Sequence, residues 1–271
     1  GFRGTGRNFR ETVSKLLQGN SDPTAYTAGN GAAMRVLPIA LASHDITLHD
    51  TARLPLLRQN VIISASLTTH HILALVPSFS VAYLAWKFTD PNSRVREAFM
   101  SSSISEQLTD VARETRSFEE FVSSDPFFIR SRADHEYLHS YSDFLRSLVP
   151  DVLSREMAPE SLFLAVNDTT VRFARNKTSK EIRTMNDGMA IASVTSAMVG
   201  ALALKARPFL GSLQLAYYLG DDTDTVGALL GGLLGAAHAH ISPVITNQLV
   251  LKDDLFSVFR GFTGWLRMPV G

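Results

Sequence analysis

Gly220-Asp221-Asp222-Thr223-Asp224-Thr225 packs three carboxylates and two hydroxyls into five consecutive positions, directly ahead of an apolar segment. Like charges at that density repel, so folding them together calls for a counter-charge. Mg²⁺ suits them, being a hard cation that takes carboxylate and hydroxyl oxygens and keeps several waters. Asp222 and Asp224 are two positions apart, so an irregular or extended backbone would turn both to one side. The same residues also suit a plain helix start, where Asp and Thr cap free N–H groups and negative charge meets the positive end of the dipole. Both readings, metal and cap, stand at this point. Behind the knot come Gly227, Gly231, Gly232 and Gly235. Each weakens a helix by about 1 kcal/mol relative to Ala, which predicts a helix lying very close to another backbone.

Three further segments carry chemistry. Gly29-Asn30-Gly31-Ala32-Ala33-Met34-Arg35 is a small-residue turn running into a helix. Glycines let a ligand approach the backbone, and a helix start offers N–H groups to a phosphate; Asn-Gly is equally a common turn dipeptide. Ser66-Leu67-Thr68-Thr69-His70-His71 interrupts an apolar stretch, and His71 reads as a buried imidazole with a satisfied hydrogen bond. His135-Glu136-Tyr137-Leu138-His139 is a literal His-Glu-x-x-His. On a helix its imidazoles share a face and can hold Zn²⁺, with the glutamate as base. Glu156 or Glu160 would be the third ligand, making a zinc metallohydrolase the rival reading. Against it, Arg132 and Asp134 put charge just before the motif. The apolar stripe of Tyr137, Leu138, Tyr141 and Phe144 leaves both histidines on an exposed flank.

The elements that must hold these groups read as helices. Ile104, Leu108, Val111, Thr115, Phe118 and Val122 recur at steps of four and three, with a Ser103/Glu106 capping box at the start and Asp125-Pro126 as the stop. Tyr137 to Leu148 repeats the pattern, with Pro150 predicted to end it. Met185 to Leu204, Pro208 to Leu219 and Thr225 to His240 read as further helices. The class is all-α, and the absence of a long linker predicts one domain over residues 1–271. Three windows lack charged side chains: Gln59–Trp86, Gly188–Leu204 and Thr225–Leu251. Each is short or broken by Asn, His or Pro, whereas a membrane span needs about 20 predominantly apolar residues. They are therefore expected to be buried core helices rather than membrane spans. Lys plus Arg and Asp plus Glu are 26 each, so no net charge draws the chain to nucleic acid. With no Cys, disulfides and thiolate zinc sites are excluded, and any metal must be held by oxygen or imidazole. The chain opens on Gly1 without Met or a basic-then-apolar leader, so it is expected to begin downstream of a native start and to be cytoplasmic.

Read in order, Gly29 to Arg35 with Pro38-Ile39-Ala40, then Ser66-x-x-Thr69-His70, then Asp222-Thr223-Asp224-Thr225 with Gly231, Gly235 and Ala236 resemble the ADP-ribosylglycohydrolase family. These are all-α hydrolases related to dinitrogenase reductase-activating glycohydrolase. The resemblance runs from Gly4-Thr5-Gly6 to about Pro243 and implies a compact orthogonal helical bundle. It implies cleavage of the glycosidic bond between ADP-ribose and a protein side chain or related acceptor at a two-Mg²⁺ site, with ADP-ribose or an ADP-ribosylated protein as partner. By resemblance Asp222, Asp224 and Thr225 are metal ligands, and Asp222 and Asp224 are the catalytic carboxylates. Gly29, Asn30, Gly31 and Ala32 would line the diphosphate and inner ribose. Ser66 and His70 would shape the cleft, and Gly188 matches a ligand-side glycine. Such a site orients ribose hydroxyls, while a carboxylate takes the proton from the attacking water. The chain departs from the family in lacking its Gly-Asp-x-x-Gly element, glutamate and Thr-Asp-Asp-Thr motif, which supply the other half of the metal site. Asp221 replaces a family glycine and Met189 a family aromatic. The expectation is weak metal binding and slow or no turnover. A non-catalytic ADP-ribose-binding protein of the same fold is the second alternative.

Overall fold

Two helices are apolar on every side, and the other helices cover them. The computed structural model describes residues 7–20, 26–44, 50–153, 158–178, 187–218, 220–238, 243–247 and 252–266. In chain order the helices are α1 (Arg7–Leu17), a 3-10 turn (Ala33–Arg35) leading into α2 (Val36–Ala42), α3 (Asp50–Ser66), α4 (Ile72–Phe88), α5 (Ser93–Ser101), α6 (Ile104–Val122) and α7 (Arg132–Tyr137). They continue as α8 (Ser140–Leu153), α9 (Pro159–Thr178), α10 (Ala190–Leu204), α11 (Phe209–Tyr218), α12 (Thr223–His238), α13 (Pro243–Thr246) and α14 (Lys252–Leu266). The fold is all-α. Among the described residues no strand forms, and Gly29 and Met189 make an isolated antiparallel bridge.

Every residue of α10 is buried, and so is nearly all of α4. These two pack on each other; α2, α3, α6 and α12 close around α4, and α9, α11 and α12 around α10. Such helices carry no polar face, so only a surrounding shell removes their apolar area from water. Phe79 of α4 stacks on Phe118 of α6 with ring centroids 4.1 Å apart, and Phe144 of α8 stacks on Phe173 of α9 at 4.1 Å. Fully burying one such ring contributes about 1.5–3 kcal/mol. Hydroxyls beside these two helices find partners: Ser78 donates to the Ala74 carbonyl, and Tyr141 and Thr195 bond across α8 and α10 at 2.9 Å.

Several boundaries follow local signals. α6 runs from Ile104 to Val122 as its stripe predicts, and its capping box forms: the Ser103 hydroxyl accepts from Glu106 N, and the Glu106 carboxylate accepts from Ser103 N. The helix expected from Tyr137 to Leu148 divides instead. Tyr137 ends α7, His139 takes φ 67, and α8 then runs through Pro150 to Leu153, so proline does not end it. The charge-free window from Gln59 splits at Leu67–His71 into α3 and α4, and no single described helix is long and apolar enough to cross a membrane. Met185 and His240, predicted helix limits, lie outside the described residues. In α12 only the face of Thr225, Val226, Leu229, Leu230, Leu233 and Leu234 is buried. The approach beneath its glycines is by side chains rather than by backbone: a Cβ on Gly232 would lie 2.2 Å from Leu37 Cδ1, and one on Gly231 3.4 Å from Leu213 Cδ2.

Candidate functional site

The turn before α2, the start of α10 and the start of α12 meet at Asn30. Its backbone N–H donates to the Gly188 carbonyl at 3.1 Å, and Ala190 N–H donates to the Ala28 carbonyl at 2.9 Å. This antiparallel clasp fixes the turn against the segment leading into α10. The Asn30 amide then donates to Asp222 Oδ2 at 2.6 Å and to Ser193 Oγ at 3.2 Å. A Cβ on Gly188 would meet the same Asp222 oxygen at 3.4 Å, so the carboxylate lies directly against the clasp.

Asp222 occupies the position before α12, and its carbonyl accepts the first helical bond, from Val226 N at 3.1 Å. Gly220 at φ 71 and Asp221 at φ 55 make the left-handed bend that leads into it. Aspartate is among the few side chains that visit this region without large strain. α12 begins at Thr223, so Asp224 and Thr225 lie in its first turn. Asp222 and Asp224 lie close enough to couple, each shifting the other's titration. Burial raises the Asp222 carboxyl above its ordinary range, reinforced by Asp224, whereas the exposed Asp224 is held low by Asp222 and by Thr225 N. Buried Thr225 aims its hydroxyl at the Met34 sulfur, 3.7 Å away and a weak acceptor. The donor set is thus two carboxylates and a hydroxyl, all hard oxygens. It fits Mg²⁺. Among the described residues no group of three or more His, Cys, Asp or Glu stands at metal-ligand spacing.

Residues 26–30 carry the site toward the histidines. Tyr26 stacks on His71 with centroids 4.4 Å apart and tilts on His70 at 5.2 Å, and its hydroxyl donates to buried Asp134. His70 also meets the edge of Phe127 at 6.0 Å. Thr69 ties the two segments by donating to the Thr27 carbonyl at 2.8 Å. His71 is structural, as its sequence context predicts: it caps α4, with Nδ1 accepting from Leu73 N at 3.1 Å, and burial pushes the imidazole down to about 4. Ser66 bonds within its own helix, donating to the Ile63 carbonyl at 2.8 Å. Gly29, Asn30, Gly31, Ala32, Gly188, Asp222, Asp224 and Thr225 therefore belong to one locus. His70 is joined to it through Tyr26 and Thr69.

The zinc reading of His135-Glu136-x-x-His139 is corrected by the backbone. α7 ends at Tyr137, Leu138 turns extended, and His139 is left-handed, so the two imidazoles do not sit one turn apart on a helix. His135 is exposed, and Glu136 pairs with Arg132 in solvent at 3.4 Å. His139 Nδ1 faces Glu119 instead, at 3.5 Å. Glu156 and the side chain of Glu160 lie outside what the structure describes. Asp134, which the sequence offers as a charge just before the motif, is buried and closes a capping box with Ser131.

Sequence reasoning assigned no role to Ser193 or Arg35. A polar residue in an all-buried helix needs a partner, and Ser193 in α10 meets that description. Arg35 donates to the Gly31 carbonyl at 2.6 Å, the Ser64 carbonyl at 2.9 Å and Thr68 Oγ1 at 2.7 Å. It thereby ties the turn to the end of α3. Comparison with curated proteins gives no match. The family model for ADP-ribosylglycohydrolase, however, matches residues 1–263 of the 271. With that coverage and an all-α fold, the chain belongs to the ADP-ribosylglycohydrolase family, enzymes that hydrolyse glycosidic bonds of ADP-ribose.

Proposed function

We propose that this chain is a Mg²⁺-dependent hydrolase of the bond between ADP-ribose and an acceptor, either a protein side chain or a small molecule. The contact that supports this most is the 2.6 Å bond from Asn30 Nδ2 to Asp222 Oδ2, which joins the glycine turn to the acidic knot across 192 positions. In this reading the turn from Gly29 to Ala32 receives the diphosphate and inner ribose, and Ser66 and His70 border the cleft. Asp222, Asp224 and Thr225 hold Mg²⁺, which when bound neutralises the carboxylates and orients the ribose hydroxyls. The reacting ribose carbon becomes cationic as the acceptor leaves. A carboxylate oxygen of Asp222 or Asp224 not engaged by the cation would take the proton of the attacking water. Three oxygen donors leave much of an octahedral shell to water and substrate. The chain alone therefore binds Mg²⁺ weakly and turns over slowly.

Titration of ADP-ribose with and without Mg²⁺, repeated for Asp224→Asn, tests this. The wild type should bind more tightly with Mg²⁺, and the variant should lose that gain. A wild-type response indifferent to Mg²⁺ counts against the metal site. Mg²⁺-dependent binding with no release of ADP-ribose from any conjugate would identify a binding protein on the same fold.

A further inference from the structure

Among the described residues, Arg35 is a cation with no carboxylate beside it. Its three hydrogen bonds to described residues all go to neutral acceptors, two carbonyls and one hydroxyl, and among the described residues no carboxylate pairs with it. The side chain is half-buried, and burial is what lowers its pKa. Leaving a partly desolvated charge uncompensated is costly unless something anionic completes it. One of its acceptors is the carbonyl of Gly31, inside the glycine turn. On that turn, no acceptor among the described residues takes the backbone N–H of Gly31 or Ala32. A cation behind the turn and free N–H groups on it are complementary to one kind of ligand, a doubly charged diphosphate.

We propose that Arg35 is the positioning residue that selects for the diphosphate of the ligand, by clamping the Gly31 carbonyl and standing behind the turn as an uncompensated positive charge. This rests on the ADP-ribose reading above and adds what makes the turn specific for charge. The planar guanidinium forks to the turn on one side and to the end of α3 on the other, a reach that the single ammonium of Lys does not reproduce. Lys does keep the charge, so geometry and electrostatics are separable.

The test is calorimetric binding of ADP-ribose, and of adenosine as a probe without the diphosphate, to the full chain as wild type, Arg35→Met and Arg35→Lys. Arg35→Met should weaken ADP-ribose by about tenfold or more while moving adenosine by less than about twofold. Arg35→Lys, which keeps the charge but not the fork, should recover part of the ADP-ribose affinity, and wild-type ADP-ribose binding should weaken as salt is raised. Equal losses for both ligands would make Arg35 a purely structural clamp and overturn the proposal. Should Arg35→Met fail to fold by circular dichroism, the other two measurements decide. An Arg35→Lys protein that folds but has lost its preference for ADP-ribose, or a wild-type affinity indifferent to salt, overturns it. Wild-type binding of ADP-ribose with unchanged binding in Arg35→Met removes the role of Arg35 alone. Failure of the wild type to bind ADP-ribose removes the parent reading and this inference together.

Discussion

Two segments of this chain offer metal-type chemistry, and the fold treats them in opposite ways. The Asp222–Thr225 knot is held by groups distant in sequence: Asn30 binds the Asp222 carboxylate, Gly188 lies against it, and Thr225 meets Met34. In the His135–His139 segment the distant contacts go to Tyr137, which meets His71, and to His139, and they draw the two histidines apart rather than together. Its helix stops after Tyr137, Glu136 pairs with Arg132, and His139 turns to Glu119. Spacing along a sequence becomes geometry only if the backbone between the residues is the one the spacing assumes. The knot needs no long helix to bring its carboxylates together, whereas the histidine pair needs a continuous turn that a left-handed residue breaks.

The largest effect expected on this contrast is from Asp222→Ala, which should lower Mg²⁺-dependent release of ADP-ribose by about a hundredfold or more in kcat/KM. Retained activity would dissolve the distinction between the two segments. Asn30→Ala comes next. It strips Asp222 and Ser193 of their donor, and should cost about tenfold in activity and about 1–3 kcal/mol in stability, read by kinetics and urea unfolding.

The third prediction concerns the other segment. Burial pushes the Glu119 carboxyl up to about 7, against bonds from Ser142 and the nearby Arg116 that favour ionisation. Its neighbours there are His139, Asp143, Arg116 and Ser142. A raised carboxyl pKa means the folded state holds the proton longer, so this contribution is full below about 4.5 and is lost as pH rises through about 7. His71 has the opposite sign: its folded value of about 4 lies below the ordinary 6.5, so its contribution is present above 6.5 and lost as pH falls toward 4. The two oppose each other in mildly acidic solution. Glu119→Gln should remove one slope, raising stability at pH 8 relative to wild type by on the order of 3 kcal/mol and exposing the His71 slope below neutrality. Urea midpoints at pH 5 and pH 8 that move in parallel for both proteins would show that Glu119 does not titrate there. The smallest effect belongs to His135→Ala, expected to change activity by less than about twofold and stability within about 0.5 kcal/mol. Loss of activity in that variant would restore the zinc reading.

What was legible in the sequence was what local chemistry decides. The limits of α6 could be read because a four-and-three stripe and a Ser103/Glu106 box are complete within one segment. The role of His71 could be read because an imidazole amid apolar residues must find a partner nearby, and Leu73 N is two residues on. The division between α7 and α8 was not legible. Tyr137, Leu138, Tyr141 and Phe144 satisfy one helical period, yet the left-handed φ at His139 resets it. Pro150 was read as a stop, but a proline costs one backbone bond, and α8 continues past it. The knot and the glycine turn each looked ambiguous alone. Their meeting depends on Gly188, Ser193 and Arg35, whose roles come from packing between segments far apart in the chain, and no local window contains that information.

The clasp between Ala28–Asn30 and Gly188–Ala190 has a consequence for how the protein is made. Asn30 leaves the ribosome before its partners: Ser193 lies 163 positions later and Asp222 192 positions later. Contacts at such separation form last, after the loop between them has closed. A nascent chain halted before α10 would own the glycine turn and no surface to fasten it to. The turn is therefore fastened only in chains whose synthesis has passed Asp222.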